Sequence, residues 1–188
     1  MPDALLRLRG VACVRGGRLL FEGLSLRLDP GGAAVVTGPN GAGKSSLLRL
    51  AAGLLRPDSG TVERGGAAAL ADEHAALDER LTLERALAFW ARLDGARAEA
   101  GMAPLGLLPL RDVPVRMLSN GQRKRATLAR VVASGAPLWL LDEPANGLDR
   151  DSAAALAEVM ADHRRRGGAI LAASHQPLGL EDSATVAL

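Results

Sequence analysis

Gly38, Gly43, Lys44 and Ser45 stand at the spacing G-x-x-x-x-G-K-[ST], within Gly38-Pro39-Asn40-Gly41-Ala42-Gly43-Lys44-Ser45-Ser46. That pattern does phosphate chemistry. Glycines let the backbone turn without a Cβ clash and come close to a ligand. Successive N–H groups then point inward as an anion-binding nest. Lys44 is placed to reach the β- and γ-phosphates of a nucleoside triphosphate, and the Ser45 hydroxyl to ligate Mg²⁺. A second constellation is Leu138-Trp139-Leu140-Leu141-Asp142-Glu143, an apolar run ending in two acids. Asp142 there would hold Mg²⁺ and Glu143 would polarise the attacking water. A third is Leu118-Ser119-Asn120-Gly121-Gln122, with Ser119 placed to cap a helix and its start open to a phosphate. Taken singly, each has a plainer reading: a glycine-rich turn, a solvated acidic turn, an ordinary capped helix.

The elements around these residues are the ones the chemistry needs. Ala33–Thr37 is a short apolar run suited to a buried strand, and Ser46–Ala52 has apolar residues at helical spacing. Strand, glycine loop and helix put the free N–H groups and positive dipole end of the helix behind the phosphates. Leu138–Leu141 is apolar throughout, as in a strand covered on both faces. Ligands bind at the C-terminal ends of such strands. Upstream, Leu5–Leu8 and Val11–Val14 read as apolar strand runs separated by Arg9-Gly10, and Leu24, Leu26 and Leu28 alternate with polar residues. From about His74 to Val132 the pattern is mostly helical. Gly101 to Pro114 reads as a loop with a short helix. Ser152–Arg166 reads as a helix, Ala169–Ala173 as a buried strand, and Ala184–Leu188 as one more. Strands alternating with helices around a phosphate loop predict α/β architecture with a mostly parallel core sheet, preceded by an antiparallel β region.

Composition narrows the possibilities. The 188 residues suit one domain, 1–188, with a helical subdomain over about 74–132. Aromatics make up 2%, which argues against base-stacking platforms and so against nucleic acid as a partner. The formal charge of +2 is close to balance. The single cysteine, Cys13, makes an internal disulfide impossible and reads as a small buried apolar residue. No secretory leader is expected at Met1-Pro2-Asp3, and no run approaches the ~18 apolar residues of a membrane span. Any membrane role is expected to come through a partner. Arg164-Arg165-Arg166 reads as a solvated helix end. Arg123-Lys124-Arg125, near a helix N-terminus where cations are disfavoured, calls for an offsetting anion or acidic surface.

In this order, the three constellations resemble the ATP-binding subunits of ABC transporters. Leu118–Gln122 resembles that family's Leu-Ser-Gly-Gly-Gln signature, with Asn120 in place of a glycine. Ala145-Asn146-Gly147-Leu148-Asp149 resembles its loop between subunits, and Ser174-His175 its switch histidine. The resemblance runs from about Leu5 to Gln176. It implies a P-loop NTPase fold of ABC ATPase type, ATP and Mg²⁺ as ligands, and a homodimer with head-to-tail ATP sites. Ser119, Gly121 and Gln122 of one copy would close over the nucleotide on the phosphate loop of the other. His175 would contact the γ-phosphate and help hold Glu143. Polytopic membrane subunits of an exporter would be the partners, placing the chain peripherally on the cytoplasmic face of the inner membrane. Within the family, Leu19–Ser25 and the ending Ala172–Leu180 resemble the ATP-binding subunits of haem exporters in cytochrome c maturation. Other ABC ATPases power soluble assembly machines, and a degenerate member could bind nucleotide only to regulate.

The chain departs from the family pattern in two places. Val14-Arg15-Gly16-Gly17-Arg18, where the family stacks adenine on an aromatic ring, has no aromatic; Arg15 could stack its planar guanidinium there instead. Where the family carries a glutamine at the entry to the helical region, the candidate by position is His74.

Overall fold

The computed structural model describes residues 4–72 and 77–188. The expectation at His74 lies outside them. The chain opens on β1 (Leu6–Arg15) and β2 (Arg18–Leu28), then β3 (Ala33–Thr37) and helix α1 (Lys44–Ala52). β4 (Ser59–Arg64) and β5 (Ala68–Ala71) follow, then helices α2 (Leu83–Leu93), α3 (Ala98–Met102) and α4 (Asn120–Ala133). The chain closes with β6 (Leu138–Asp142), α5 (Arg150–Arg165), β7 (Ala169–Ala173) and β8 (Ala184–Ala187).

These strands form two sheets. β2-β1-β4 is antiparallel, and β5-β6-β7-β3-β8 is parallel at every pairing. The apolar runs Leu5–Leu8 and Val11–Val14 belong to one long strand. Gly10, at φ 57°, and a register shift between Leu8 and Val11 absorb the Arg9-Gly10 break as a bulge.

Alternation along the parallel strands sorts the core into two clusters. Leu138 and Leu140 pack on one side with Leu47, Leu48 and Leu50 of α1 and with Leu6 and Leu8 of β1. Trp139 and Leu141 pack on the other, with residues of α2, α3, α4 and α5. The wholly apolar sequence of β6 follows from this double covering. Each fully buried leucine contributes roughly 1.5–3 kcal/mol, so α1 is held to the sheet chiefly by its three.

The stretch from Gly101 to Pro114, expected as a loop with a short helix, is largely that, but it starts inside a helix. Gly101 lies inside α3, and 3₁₀ turns at Leu108–Leu110 and Val115–Met117 follow. A Cβ on Gly101 would stand 2.0 Å from the Ala129 carbonyl oxygen and 3.1 Å from the Ala133 Cβ. This glycine therefore marks a close approach of α3 to α4, and not a break in the chain.

The parallel register positions the chemistry. Asp142 of β6 lies level with Ala173 of β7, and Ala173 level with Val36 of β3. Three neighbouring strands therefore end together, and the segments leaving them are the glycine loop, Glu143 and Ser174-His175.

Candidate functional site

The glycine loop leaves β3 and turns into α1 at Gly43, whose φ is 110°. A Cβ there would stand 3.1 Å from Leu20 and from the Phe21 ring, so only glycine closes the loop against β2. No side chain caps the start of α1. The other three long helices are capped, α2 by Thr82, α4 by Ser119 and α5 by Asp149. The first N–H groups of α1 thus lack the partner those helices have. Phosphate oxygens would supply it, and this fits a nucleoside triphosphate to the loop.

Lys44 is 8% exposed. Its ammonium donates to the carbonyls of Gly38 at 2.8 Å and Pro39 at 3.2 Å, and it lies 3.0 Å from Nε2 of His175. An ammonium has only donors, so a hydrogen bond here requires Nε2 to accept, while Nε2 also stands 3.6 Å from Glu143 Oε1. The His175 main-chain N–H in turn donates to Glu143 Oε2 at 3.4 Å. Lys44, Glu143 and His175, spread over 132 positions, thus form one contiguous group.

Glu143 has φ 45°, an uncommon conformation outside glycine. Both polar atoms of the peptide unit before it are held. Its N–H donates to the Ala173 carbonyl at 2.9 Å, and the Asp142 carbonyl accepts from Lys124 Nζ at 3.1 Å. Burial pushes the Lys124 ammonium below its ordinary value, opposed by the carboxylates of Asp142, Glu143 and Asp72.

Two adjoining cavities meet here. One, of about 370 Å³, is lined by Leu20, Asn40, Gly41, Gly43, Lys44, Ser45, Ser46, Asp142 and Glu143. The other, of about 390 Å³, shares Ser45, Asp142 and Glu143 and adds Asp72, Asn120, Arg123, Lys124, Thr127, Asn146 and Gly147. Ser119, Gly121 and Gln122 line neither. Ser119 and Gln122 form a reciprocal capping box: Ser119 N–H donates to Gln122 Oε1 at 2.9 Å, and Gln122 N–H to Ser119 Oγ at 3.3 Å.

The structure also places the residues about which the sequence was less specific. The basic run at Arg123 finds its offsetting partners inside the chain. Arg123 pairs with Glu79, Lys124 turns to Asp142, and Arg125 donates to the Leu105 carbonyl at 3.1 Å. Arg164 is not merely solvated, because it donates to the carbonyls of Gly31 at 2.9 Å and Glu181 at 2.7 Å. Arg15 ends β1 directly opposite Arg18, exposed, and among the described residues no aromatic lines the glycine-loop cavity. Leu20 lines it instead; its place between β2 neighbours carried no sequence signal for a site.

A parallel sheet with a glycine loop, a strand-end acid pair and a histidine after the next strand defines an ATPase of ABC type. The model of the ABC transporter family matches residues 21–146. A solved ATP-binding subunit of an ABC transporter superposes with a TM-score of 0.83 at 24% identity, covering 98% of this chain and 85% of that one. The cytochrome c biogenesis ATP-binding export protein CcmA of Sphingopyxis alaskensis is 60% identical, over 95% of this chain and 93% of its own. Its counterpart of the same name in Zymomonas mobilis is 56% identical, over 99% and 85%. The chain belongs to the ABC transporter family of ATP-binding proteins, in the branch of the CcmA cytochrome c biogenesis proteins. It is a nucleotide-binding, ATP-hydrolysing subunit.

Proposed function

We propose that the chain hydrolyses ATP to drive an exporter of cytochrome c biogenesis, in haem export or release of a haem-loaded chaperone. The relatives' shared name supports the process, and the meeting of Lys44, Glu143 and His175 beside an uncapped helix start carries the chemistry. In this reading the loop from Gly38 through Ser46, with Pro39, Asn40, Gly41, Ala42 and Gly43 between, wraps the phosphates. Lys44 exchanges its carbonyl partners for phosphate oxygens, neutralising charge that grows during phosphoryl transfer. The Ser45 hydroxyl and the Asp142 carboxylate, which line the same cavity, would hold Mg²⁺. Held there, Mg²⁺ would supply positive charge against the charge that develops on the phosphates. Among the described residues no group of three His, Cys, Asp or Glu could hold a metal ion. Mg²⁺ needs only one or two protein ligands, and Ser45 and Asp142 would be those two. Glu143 orients the attacking water. His175 holds the γ-phosphate and Glu143 in register.

Ser119, Gly121 and Gln122 complete the site of a second copy. Their absence from the cavity of their own glycine loop supports this head-to-tail arrangement. Among the described residues no helix is long and apolar enough to cross a membrane. In this reading the chain docks on polytopic membrane subunits and sits peripherally on the cytoplasmic face.

Glu143→Gln, purified from its native membranes in mild detergent, tests the reading. Turnover should drop roughly 10²-fold or more, while ATP-dependent dimers persist and membrane subunits co-purify. Unchanged turnover would reject Glu143, and recovery as a soluble protein alone would reject the exporter.

A further inference from the structure

We propose that Lys124 is a positioning residue for Glu143: by holding the Asp142–Glu143 peptide unit it aims the Glu143 carboxylate and ties α4 to it. The inference rests on the reading of Glu143 given above.

Glu143 adopts a left-handed backbone conformation at φ 45°, which is unfavourable in a non-glycine residue and persists only where its surroundings impose it. The orientation of the preceding peptide unit sets that φ, and the unit is gripped at both ends. β7 takes its N–H through the Ala173 carbonyl at 2.9 Å. Lys124 takes its C=O at 3.1 Å. The first grip is part of the sheet margin. The second is a side chain from another element, and it is the one that can be lost without disturbing a strand.

The chain accepts a cost to place this cation. Lys124 lies early in α4, where the positive end of the helix dipole disfavours cations. Its two basic neighbours turn elsewhere, Arg123 to Glu79 and Arg125 to Leu105. Arg123 and Lys124 both line the cavity that holds Asp72, Asp142 and Glu143, but of the three cations it is Lys124 that hydrogen-bonds the strand end. Those carboxylates offset the dipole, and the hydrogen bond selects the Asp142 carbonyl. Because α4 begins at Ser119, a displacement of that helix start reaches the Glu143 peptide through one side chain. Glu143 thereby becomes sensitive to what Ser119 and Gly121 touch.

Lys124→Met removes the donor and keeps an apolar stem. Single-turnover hydrolysis and ATP affinity are measured on the full chain carrying Lys124→Met, Lys124→Arg, Glu143→Gln, and Lys124→Met with Glu143→Gln. Lys124→Met should slow hydrolysis about 10- to 100-fold, the scale of a misplaced reacting group, with ATP affinity within about twofold. Lys124→Arg should recover most of that rate. In the Glu143→Gln background the added Lys124→Met should slow hydrolysis no further, since the carboxylate it aims is gone. A further loss in that background overturns the proposal, and so does an unmodified rate for Lys124→Met alone. Should Lys124→Met fail to fold, Lys124→Ala carries the same comparison. An unmodified rate in Glu143→Gln alone would instead overturn the reading of Glu143 on which the inference rests.

Discussion

Lys44 shows what a single residue contributes at this site. It is a cation 8% exposed whose partners are two carbonyls of its own loop and the ring of His175. Among the described residues no carboxylate ion pair is seen at Lys44, and in the proposed function its charge goes to the phosphates. Lys44→Ala should therefore abolish hydrolysis and ATP binding together. In the unmodified chain, ATP at 100 times its Kd stabilises the fold by about 2.7 kcal/mol. For a domain of this size that raises Tm by roughly 5–10 °C. The Lys44→Ala variant should show no such rise, and a normal rise would remove Lys44 from the phosphate site. The run Arg123-Lys124-Arg125 makes the complementary point: three adjacent cations look alike in sequence, yet they turn to three different partners.

At the scale of elements, capping and packing were unequally legible. α4 announces itself by Ser119 ahead of a helical pattern, and that cap is present, whereas α5 starts at Arg150, two residues before the expected Ser152, behind a cap from Asp149 that reads in sequence as part of a loop. The antiparallel β1 was less legible, because a bulge at Gly10 joins two runs that look separate. α3 was only partly legible: from Gly101 the sequence reads as a loop with a short helix, and the glycine stands instead within α3. Its reason lies in space, at the Ala129 carbonyl. Gly101→Ala should force α3 off α4 and cost about 1–3 kcal/mol as overpacking. Thermal unfolding of the variant measures it. A Tm unchanged by the substitution would mean that α3 moves aside freely.

At the scale of the molecule, the end of the parallel sheet away from the ATP site has its own constraint. The ring of His163 on α5 stacks on Trp139 of β6, centroids 3.7 Å apart and 9° from coplanar. It also fills the space beside Gly168, where a Cβ would lie 2.2 Å from the ring. Burial holds this imidazole below its ordinary value of 6.5, against the opposing effect of backbone hydrogen bonds at Ala169 and Pro137. The unfolded chain then binds the proton more readily than the folded one. The stability tied to neutral His163 is complete above the unfolded value and is lost as pH falls below it. Tm should decline as the pH is lowered from about 7.5 to 5.5, and His163→Phe should flatten that decline. An equal slope in the variant would assign the acid sensitivity to other groups.

The sequence alone determined the chemistry and the family. Motif spacing there reflects local geometry: a glycine loop between a strand and a helix, an acid pair at the end of an apolar run, a cap ahead of a helix. Each of these is written within a few consecutive residues. Tertiary structure alone decided which of these residues meet. Lys44, Glu143 and His175 converge because β3, β7 and β6 are neighbours in a parallel sheet with their ends level. The order of strands in a sheet follows from how helices cover its two faces, and no spacing along the chain encodes it. The same holds for Leu20 against Gly43, Gly101 against Ala129, and Lys124 against Asp142. Each pair is set by two surfaces packing together, and long-range packing leaves no period in the sequence.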